Sequence, residues 1–153
     1  MAKVLSIHVG NSGVALNSVS SVRAVAGRGL EGDRYFAKAG TFSKKEGADR
    51  EVTLIESEAI EALKRDYEVD LAAAETRRNI VTRGVALNHL VGTEFSVGDA
   101  VFKGLRLCEP CGHLAKLTSE RVRQGLIHRG GLRACVVKDG TIRAGDTIAP
   151  ARS

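Results

Sequence analysis

Residues 93–110, TEFSVGDAVFKGLRLCEP, indicate the fold class of this chain. Apolar and polar residues alternate on both sides of Gly98–Asp99, which predicts two strands joined by a tight turn. Pro110 has no amide hydrogen, so it ends the second strand. Short strands of this kind recur along the sequence, and they favour a mostly β protein over a helical bundle.

The segments that flank this stretch continue the pattern. The clearest helix is predicted for Glu56–Tyr67, where apolar residues form one stripe, and a second helix for residues 119–129, which open with Ser119 as an N-cap. A hairpin is predicted at Asp139–Gly140. Further strands are predicted at Lys3–Val9, Arg50–Ile55 and Arg77–Arg83. We therefore expect an α+β chain dominated by β structure, folded as a closed or nearly closed β-barrel with a few peripheral helices.

Composition limits the classes of function. The 153 residues fit one domain, predicted from Lys3 to Pro150, and 17 glycines against two prolines suit many tight turns. Three cysteines do not form a disulfide framework, and neither a signal peptide nor a membrane span is recognisable, so we expect a cytoplasmic protein that does not bind membranes. The net charge of +5 favours anionic partners, but the aromatic fraction of 4% leaves few stacking platforms, which makes nucleic acid an unlikely partner.

Two of the three cysteines lie in residues 105–117, LRLCEPCGHLAKL. A structural zinc site needs four ligands, and no second pair accompanies Cys108 and Cys111. A thioredoxin-like redox pair needs a βαβ unit around the motif, and the order of predicted elements is that of a meander. Buried packing is the ordinary role of an unpaired cysteine, and it suits Cys108 and Cys135 because both lie in apolar strands.

Cys111 is different from the other two cysteines. It follows Glu109–Pro110, where the strand must stop, and His113 and Lys116 come shortly after it. A thiol at such a break is expected to be exposed and close to positive charge, which favours the thiolate. The sequence therefore predicts Cys111 as a nucleophile or as a ligand of a soft metal.

Two further candidates come from loops. Arg34 follows the glycines of residues 29–32, which let backbone amides approach an anion. His128 lies near the end of the second predicted helix, just before a Gly-Gly turn, where a histidine can donate a proton or contact a phosphate. Solvent-exposed positions without a function are the ordinary alternative for both residues.

The ordered set of segments resembles the MOSC domain, the carboxy-terminal domain of molybdenum cofactor sulfurases. The resemblance covers nearly the whole chain and rests on the segments GLEGDRYF, RRNIV, VGTEFSVGDAVF, CEPCGHL and GGLRACVVKDGTIRAGDTI. It implies a strand-rich barrel in which Cys111 handles sulfur or ligates molybdenum. It further implies that Arg77, Asn79 and Glu109 contact the molybdenum cofactor (molybdopterin).

The resemblance leads to two hypotheses about function. The first is an enzyme that holds the molybdenum-pterin cofactor through Cys111 and reduces N-hydroxylated substrates with electrons from a separate transfer partner. The alternative is a sulfur carrier, in which Cys111 receives a persulfide from a pyridoxal-phosphate-dependent desulfurase during maturation of the molybdenum cofactor or a metal-sulfur cluster. Pyridoxal phosphate would then act only through that partner. A ligand-binding domain with a non-catalytic cysteine, and a nucleic-acid-binding barrel, remain as further alternatives.

Overall fold

The computed structural model describes residues 2–10, 16–33, 51–108, 125–126 and 128–150. The helices whose bounds lie within these ranges are α1 (Ser57–Tyr67) and two short 3₁₀ helices, Ala73–Thr76 and Leu87–Leu90, and Gly125 is also α-helical. The strands in the same ranges are β1 (Lys3–Val9), β2 (Asn17–Val19), β3 (Ser21–Val25), β4 (Gly29–Leu30), β5 (Val52–Glu56), β6 (Ile80–Arg83), β7 (Glu94–Val97), β8 (Ala100–Leu107), β9 (Leu132–Lys138), β10 (Gly140–Arg143) and β11 (Ile148–Pro150).

The strands form two sheets. The larger one has eight strands in the order β11-β7-β8-β9-β5-β6-β1-β2, and the smaller one has the order β10-β3-β4. Strands β5 and β6 run parallel and are connected through α1, whereas the other pairs are antiparallel. The prediction of a meander without a βαβ unit is therefore wrong for the segment from β5 through α1 to β6. The crossover does not surround the cysteine pair, because Cys108 follows β8.

The prediction of a mostly β chain with peripheral helix is confirmed, but closure of the barrel is not. The backbone segment before β11 reaches β1: the amide of Val4 donates to Asp146 at 2.8 Å, and that of Ile148 donates to Ala2 at 3.0 Å. Lys3 and Thr147 also form an isolated bridge. Among the described strands, however, β11 and β2 are the two edge strands of the larger sheet and do not pair with each other, so a closed barrel stays a prediction.

Two apolar clusters hold the fold together. The larger lies on the inner face of the eight-stranded sheet, where the rings of Phe95 and Phe102 pack edge to face with centroids 5.9 Å apart. The smaller lies between α1 and the outer face, where Leu63 packs with Ile55 and Val81. Burying each such leucine or isoleucine contributes about 2–3 kcal/mol. Among the described residues, no helix combines the length and apolar character needed to cross a bilayer.

Several predicted elements are confirmed, and one pairing is wrong. Strand β1, helix α1 and the turn at Gly98–Asp99 lie where the sequence placed them. Asp139–Gly140 does not join a hairpin, because β9 pairs with β5 and β8 whereas β10 pairs with β3 in the other sheet. The Asp139 carboxylate accepts a hydrogen bond from the Ala26 amide at 2.7 Å, and so fixes this change of sheet. Most of the second predicted helix lies outside the described residues.

Candidate functional site

The side chain of Arg78 joins three segments that the sequence analysis singled out. It is 7% exposed, and its guanidinium donates from Nε to Gly130 O at 2.7 Å, from Nη2 to Cys108 O at 3.2 Å and from Nη1 to Thr76 O at 3.2 Å. A buried cation is tolerated when its donors are satisfied by acceptors such as these. The RRNIV segment therefore meets the first cysteine of CEPCG and the glycines after His128.

A tight turn places Arg78 in this position. The Thr76 hydroxyl donates to Ala73 O at 2.7 Å and accepts from the Arg78 amide at 3.3 Å, which closes the 3₁₀ helix. Arg77 has a positive φ of 59°, so the chain reverses there before β6 begins. This reversal carries the Arg78 side chain under the ends of β8 and β9.

Arg77 lies before the strand and not within it. The sequence predicts a strand that begins at Arg77, which would place Arg77 and Asn79 on one face, but β6 begins at Ile80. The two-residue repeat of a strand therefore does not relate these two side chains. Arg77 is half-buried at the turn, directly beside Arg78.

Asn79 is fully buried and holds three strands together. Its Oδ1 accepts from the Thr53 amide at 3.0 Å and from the Thr53 hydroxyl at 3.1 Å, and its Nδ2 donates to His8 O at 3.0 Å. Its own backbone accepts from the His8 amide at 2.6 Å. The Asn79 side chain thus ties β5, β6 and β1 together, while its contact with a cofactor stays a prediction.

The end of β1 connects this network to the segment before Arg34. The buried carboxylate of Asp33 accepts a hydrogen bond from the Gly10 amide at 3.3 Å. Gly10 is two residues beyond His8, whose backbone pairs with Asn79. Asp33 is therefore fixed at the same end of β1, although Arg34 itself lies outside the described residues.

His8 is a buried histidine on β1. It is 4% exposed, its Nε2 lies 2.8 Å from Ser6 Oγ, and within the described part of the chain its Nδ1 has no hydrogen-bond partner. Burial lowers the pKa of His8. The ring is thus held in its neutral form.

His128 is exposed and has a positive φ of 60°. Its carbonyl accepts from Asn88 Nδ2 at 3.0 Å, which anchors the turn that continues through Arg129 to Gly130. Because Gly130 O also accepts from Arg78, the backbone of His128 is fixed close to the Arg78 side chain. The structure therefore brings Arg77 and His128 to the same region, as two of the predicted site residues.

The described cysteines suit packing roles. Cys108 is 2% exposed, as predicted, and Cys135 is half-buried. Burial, together with the negative charge of Glu51, raises the pKa of the Cys135 thiol. Cys111 and Glu109 lie outside the described residues. Among the residues that are described, no three His, Cys, Asp or Glu side chains are grouped as metal ligands.

Arg78 was not predicted as part of the site. It lies in the turn before β6, where the two-residue repeat of a strand does not apply, and β6 itself buries residues of both parities, so no periodic pattern marks Arg78 as buried. The acceptors that a buried arginine needs are supplied here by carbonyls, two of them from distant segments. Sequence alone does not reveal which carbonyls those are.

Comparisons with known proteins identify the family and the fold. The MOSC domain family model matches residues 7–149. The structure is similar to the YUAD protein from Bacillus subtilis, with a TM-score of 0.81, 15% identity, and coverage of 99% of this chain and 98% of that one. It is also similar to YiiM from Geobacillus stearothermophilus, with a TM-score of 0.76, 17% identity, and coverage of 99% and 76%.

YiiM from Escherichia coli is a third structural relative, with a TM-score of 0.66, 20% identity, and coverage of 97% of this chain and 70% of that one. These identities support a shared fold and nothing finer. A comparison with curated protein sequences found no match. The family model covers nearly the whole chain, and the chain therefore belongs to the MOSC domain family.

Proposed function

We propose that this MOSC domain protein binds a molybdenum-pterin cofactor through the thiolate of Cys111 and reduces N-hydroxylated substrates. The observation that carries the proposal is the bridge made by Arg78, which joins the RRNIV segment, the start of CEPCG and the turn after His128. Residues that are far apart in sequence are thereby gathered at one place. A site assembled from several loops is typical of ligand-binding and catalytic centres.

The described residues around Arg78 fit an anionic cofactor. Arg77 and Arg78 are adjacent, and Arg129 and His128 precede the glycine that Arg78 contacts. A guanidinium group can donate two parallel hydrogen bonds to two oxygens of one phosphate, which suits the phosphate of a pterin cofactor. The Arg78 guanidinium donates to three backbone carbonyls, which gives it a structural role, and the family resemblance assigns the contact with the cofactor to Arg77.

Cys111 is the cysteine suited to hold the metal. It is three residues beyond Cys108, whose carbonyl Arg78 fixes, and three residues of chain span at most about 11 Å. Cys108 is buried, and the pKa of Cys135 is raised, so neither is a ready source of thiolate. A soft thiolate is the side chain that favours such a metal.

When bound, the cofactor supplies two-electron redox chemistry. The overall reaction takes up two electrons and two protons, cleaves the N–O bond of an N-hydroxylated substrate, and leaves an N–H group and water. A separate redox partner supplies the electrons. In this scheme Cys111 ligates the metal, Arg77 and Arg34 bind anionic groups of the cofactor, Glu109 contacts it, and His128 holds a proton for the departing hydroxyl at its ring nitrogen.

The test is elemental analysis of protein made in a host that synthesises the cofactor. We expect near-stoichiometric molybdenum in the unmodified protein and loss of both the metal and amidoxime reduction in the Cys111→Ser variant. Cys135→Ser is the matched control, since it also removes one thiol and should retain both properties. Molybdenum retained by Cys111→Ser, or absent from the unmodified protein, would contradict the proposal.

The sulfur-carrier alternative is separated by a second measurement on the same samples. Incubation with a pyridoxal-phosphate-dependent desulfurase and free cysteine, followed by intact mass analysis, reports whether one sulfur atom is added at Cys111. Molybdenum-free protein that gains this sulfur would replace the reductase proposal with the carrier. Molybdenum-loaded protein that gains none retains the reductase.

A further inference from the structure

A cavity of about 380 Å³ lies at the junction of the two sheets, and its described lining includes none of the residues assigned to the proposed cofactor site. We call it the junction cavity. It has a polar wall from the three-stranded sheet and an apolar wall from β1 and β2 of the larger sheet. Its described lining includes Val9, Val19, Ser21, Arg23, Glu31 and Thr141.

The polar wall is a row of side chains across three strands. Thr141 of β10 lies directly opposite Arg23 of β3. On the opposite side of β3, the ladder with β4 ends at the pair Ala24 and Leu30. The next residue, Glu31, donates from its amide to Arg23 O at 3.0 Å, so Glu31 lies opposite Arg23. Neighbours across a sheet have Cβ atoms about 4.5–5.5 Å apart. A cation, an anion and a hydroxyl are thus placed side by side.

Ser21 adds a second hydroxyl to this wall. It lies two residues before Arg23 on the same exposed face of β3, while Val22 and Ala24 point to the core. Arg23 is held only loosely, because its Nη2 lies 3.6 Å from the Asp139 carboxylate and its side chain is 51% exposed. A ligand carboxylate can therefore reach it, since an exposed ion pair of this kind contributes little free energy.

The apolar wall comes from Val9 at the end of β1 and Val19 at the end of β2. Val9 is buried and Val19 half-buried. Their methyl groups face the same space as the polar row, so the cavity is apolar on one side and carries both charge signs on the other. Its volume falls at the lower end of the range for small-molecule sites.

We propose that the junction cavity binds a free α-amino acid with a branched apolar side chain. Arg23 receives the ligand carboxylate, Glu31 receives its ammonium group, and the hydroxyls of Ser21 and Thr141 complete the hydrogen bonds of these groups. The adjacent carboxylate and ammonium of an amino acid match the adjacent Arg23 and Glu31, and its side chain packs on Val9 and Val19. This site shares no residue with the proposed cofactor site and does not depend on it.

The experiment is a titration of the full chain with L-leucine, in which binding is measured by calorimetry and by ¹H–¹⁵N and methyl NMR. We expect saturable binding with a dissociation constant of roughly 1 mM or lower, with resonance shifts at Val9, Val19 and Thr141. 4-Methylpentanoate, which lacks the ammonium, and 3-methylbutylamine, which lacks the carboxylate, should each bind at least tenfold more weakly.

Two variants test whether the charges of Arg23 and Glu31 are needed for binding, and a third variant is the control for loss of a charge elsewhere. Arg23→Gln and Glu31→Gln should each weaken L-leucine binding at least tenfold, while Arg65→Gln, which removes an exposed charge from α1, should leave it unchanged. Circular dichroism shows whether each variant is folded. The proposal is overturned if L-leucine fails to saturate the folded protein below roughly 10 mM, if the shifts map elsewhere, or if 4-methylpentanoate binds equally well.

Discussion

Nη2 of Arg78 lies 3.2 Å from the carbonyl oxygen of Cys108, so a side chain from the turn before β6 fixes the residue that follows β8, three residues before the proposed reactive thiol. The same guanidinium also satisfies Gly130 O and Thr76 O. One cation thus sets the relative positions of three loops. Removing it affects the fold and the proposed site together.

Arg78→Lys is the most direct test of this bridge. A lysine ammonium cannot reach three divergent carbonyls from one position, so buried acceptors lose their partners. We expect a loss of about 2–4 kcal/mol in the free energy of unfolding, measured by urea denaturation. The control is Arg106→Lys, an exposed arginine on β8. A loss no larger than that of the control would show that the bridge does not stabilise the fold.

Asn79→Ala tests whether Asn79 holds strands together. The substitution leaves the Thr53 amide, the Thr53 hydroxyl and the His8 carbonyl without their side-chain partners inside the sheet. We expect destabilisation of about 2–4 kcal/mol, against less than about 1 kcal/mol for the exposed Asn88→Ala. Thermal unfolding monitored by circular dichroism compares the two. Equal melting temperatures would contradict a structural role for Asn79.

Local patterns were sufficient to predict much of the fold. Alternation placed β1, and the apolar stripe placed α1, because both depend on neighbours within a few residues. The parallel pairing of β5 with β6 and the transfer of β10 to the second sheet depend on contacts between distant segments, so the Asp139–Gly140 turn was mistaken for a hairpin.

The site was predicted less completely than the fold, for the same reason. The family resemblance implied that Arg77 and Asn79 contact the cofactor, but whether a polar side chain faces a ligand or the backbone depends on which backbone groups fold against it. Asn79 uses its amide on Thr53 and His8, which are 26 and 71 residues away. No pattern near position 79 indicates these partners.

Gly131→Ala is expected to be far more costly than Gly27→Ala. Gly131 has a φ of 112°, and a Cβ there would collide with the Leu54 backbone carbonyl, whereas Gly27 has a φ of 77° with open space around it. We expect a loss of more than about 3 kcal/mol at Gly131 and about 1–2 kcal/mol at Gly27. Urea denaturation measures both. Similar losses of unfolding free energy in the two variants would mean that the close approach of Gly131 to the Leu54 carbonyl does not contribute to stability.

Stability should fall in mild acid because of His8. Burial lowers its pKa from the ordinary value of 6.5, so as pH drops below that value the unfolded chain takes up a proton before the folded one does. The contribution of neutral His8 to the free energy of unfolding is fully present above the pKa that His8 has in the unfolded chain, and it is lost progressively as the pH falls below that pKa. The free-energy difference between the unmodified protein and His8→Gln should therefore shrink from about pH 7.5 to about pH 5.5. A difference that is constant across this range would contradict the assignment.

Alkylation should distinguish the three cysteines. Burial protects Cys108, and the raised pKa keeps Cys135 in its thiol form near neutral pH. We expect iodoacetamide to modify Cys111 at least tenfold faster than either of the other two, with peptide mass mapping as the readout. Preferential labelling of Cys135 would remove the basis for choosing Cys111 as the reactive thiol.

The hydrogen bond from the Ile148 amide to Ala2 O spans almost the full length of the sequence. During synthesis the first strand leaves the ribosome long before this partner exists, because the other described strands lie between them in the sequence. Contacts of such long sequence separation close slowly, because the loop entropy is lost before the contact is gained. The link between the start of β1 and β11 is therefore expected to form after the intervening strands have paired.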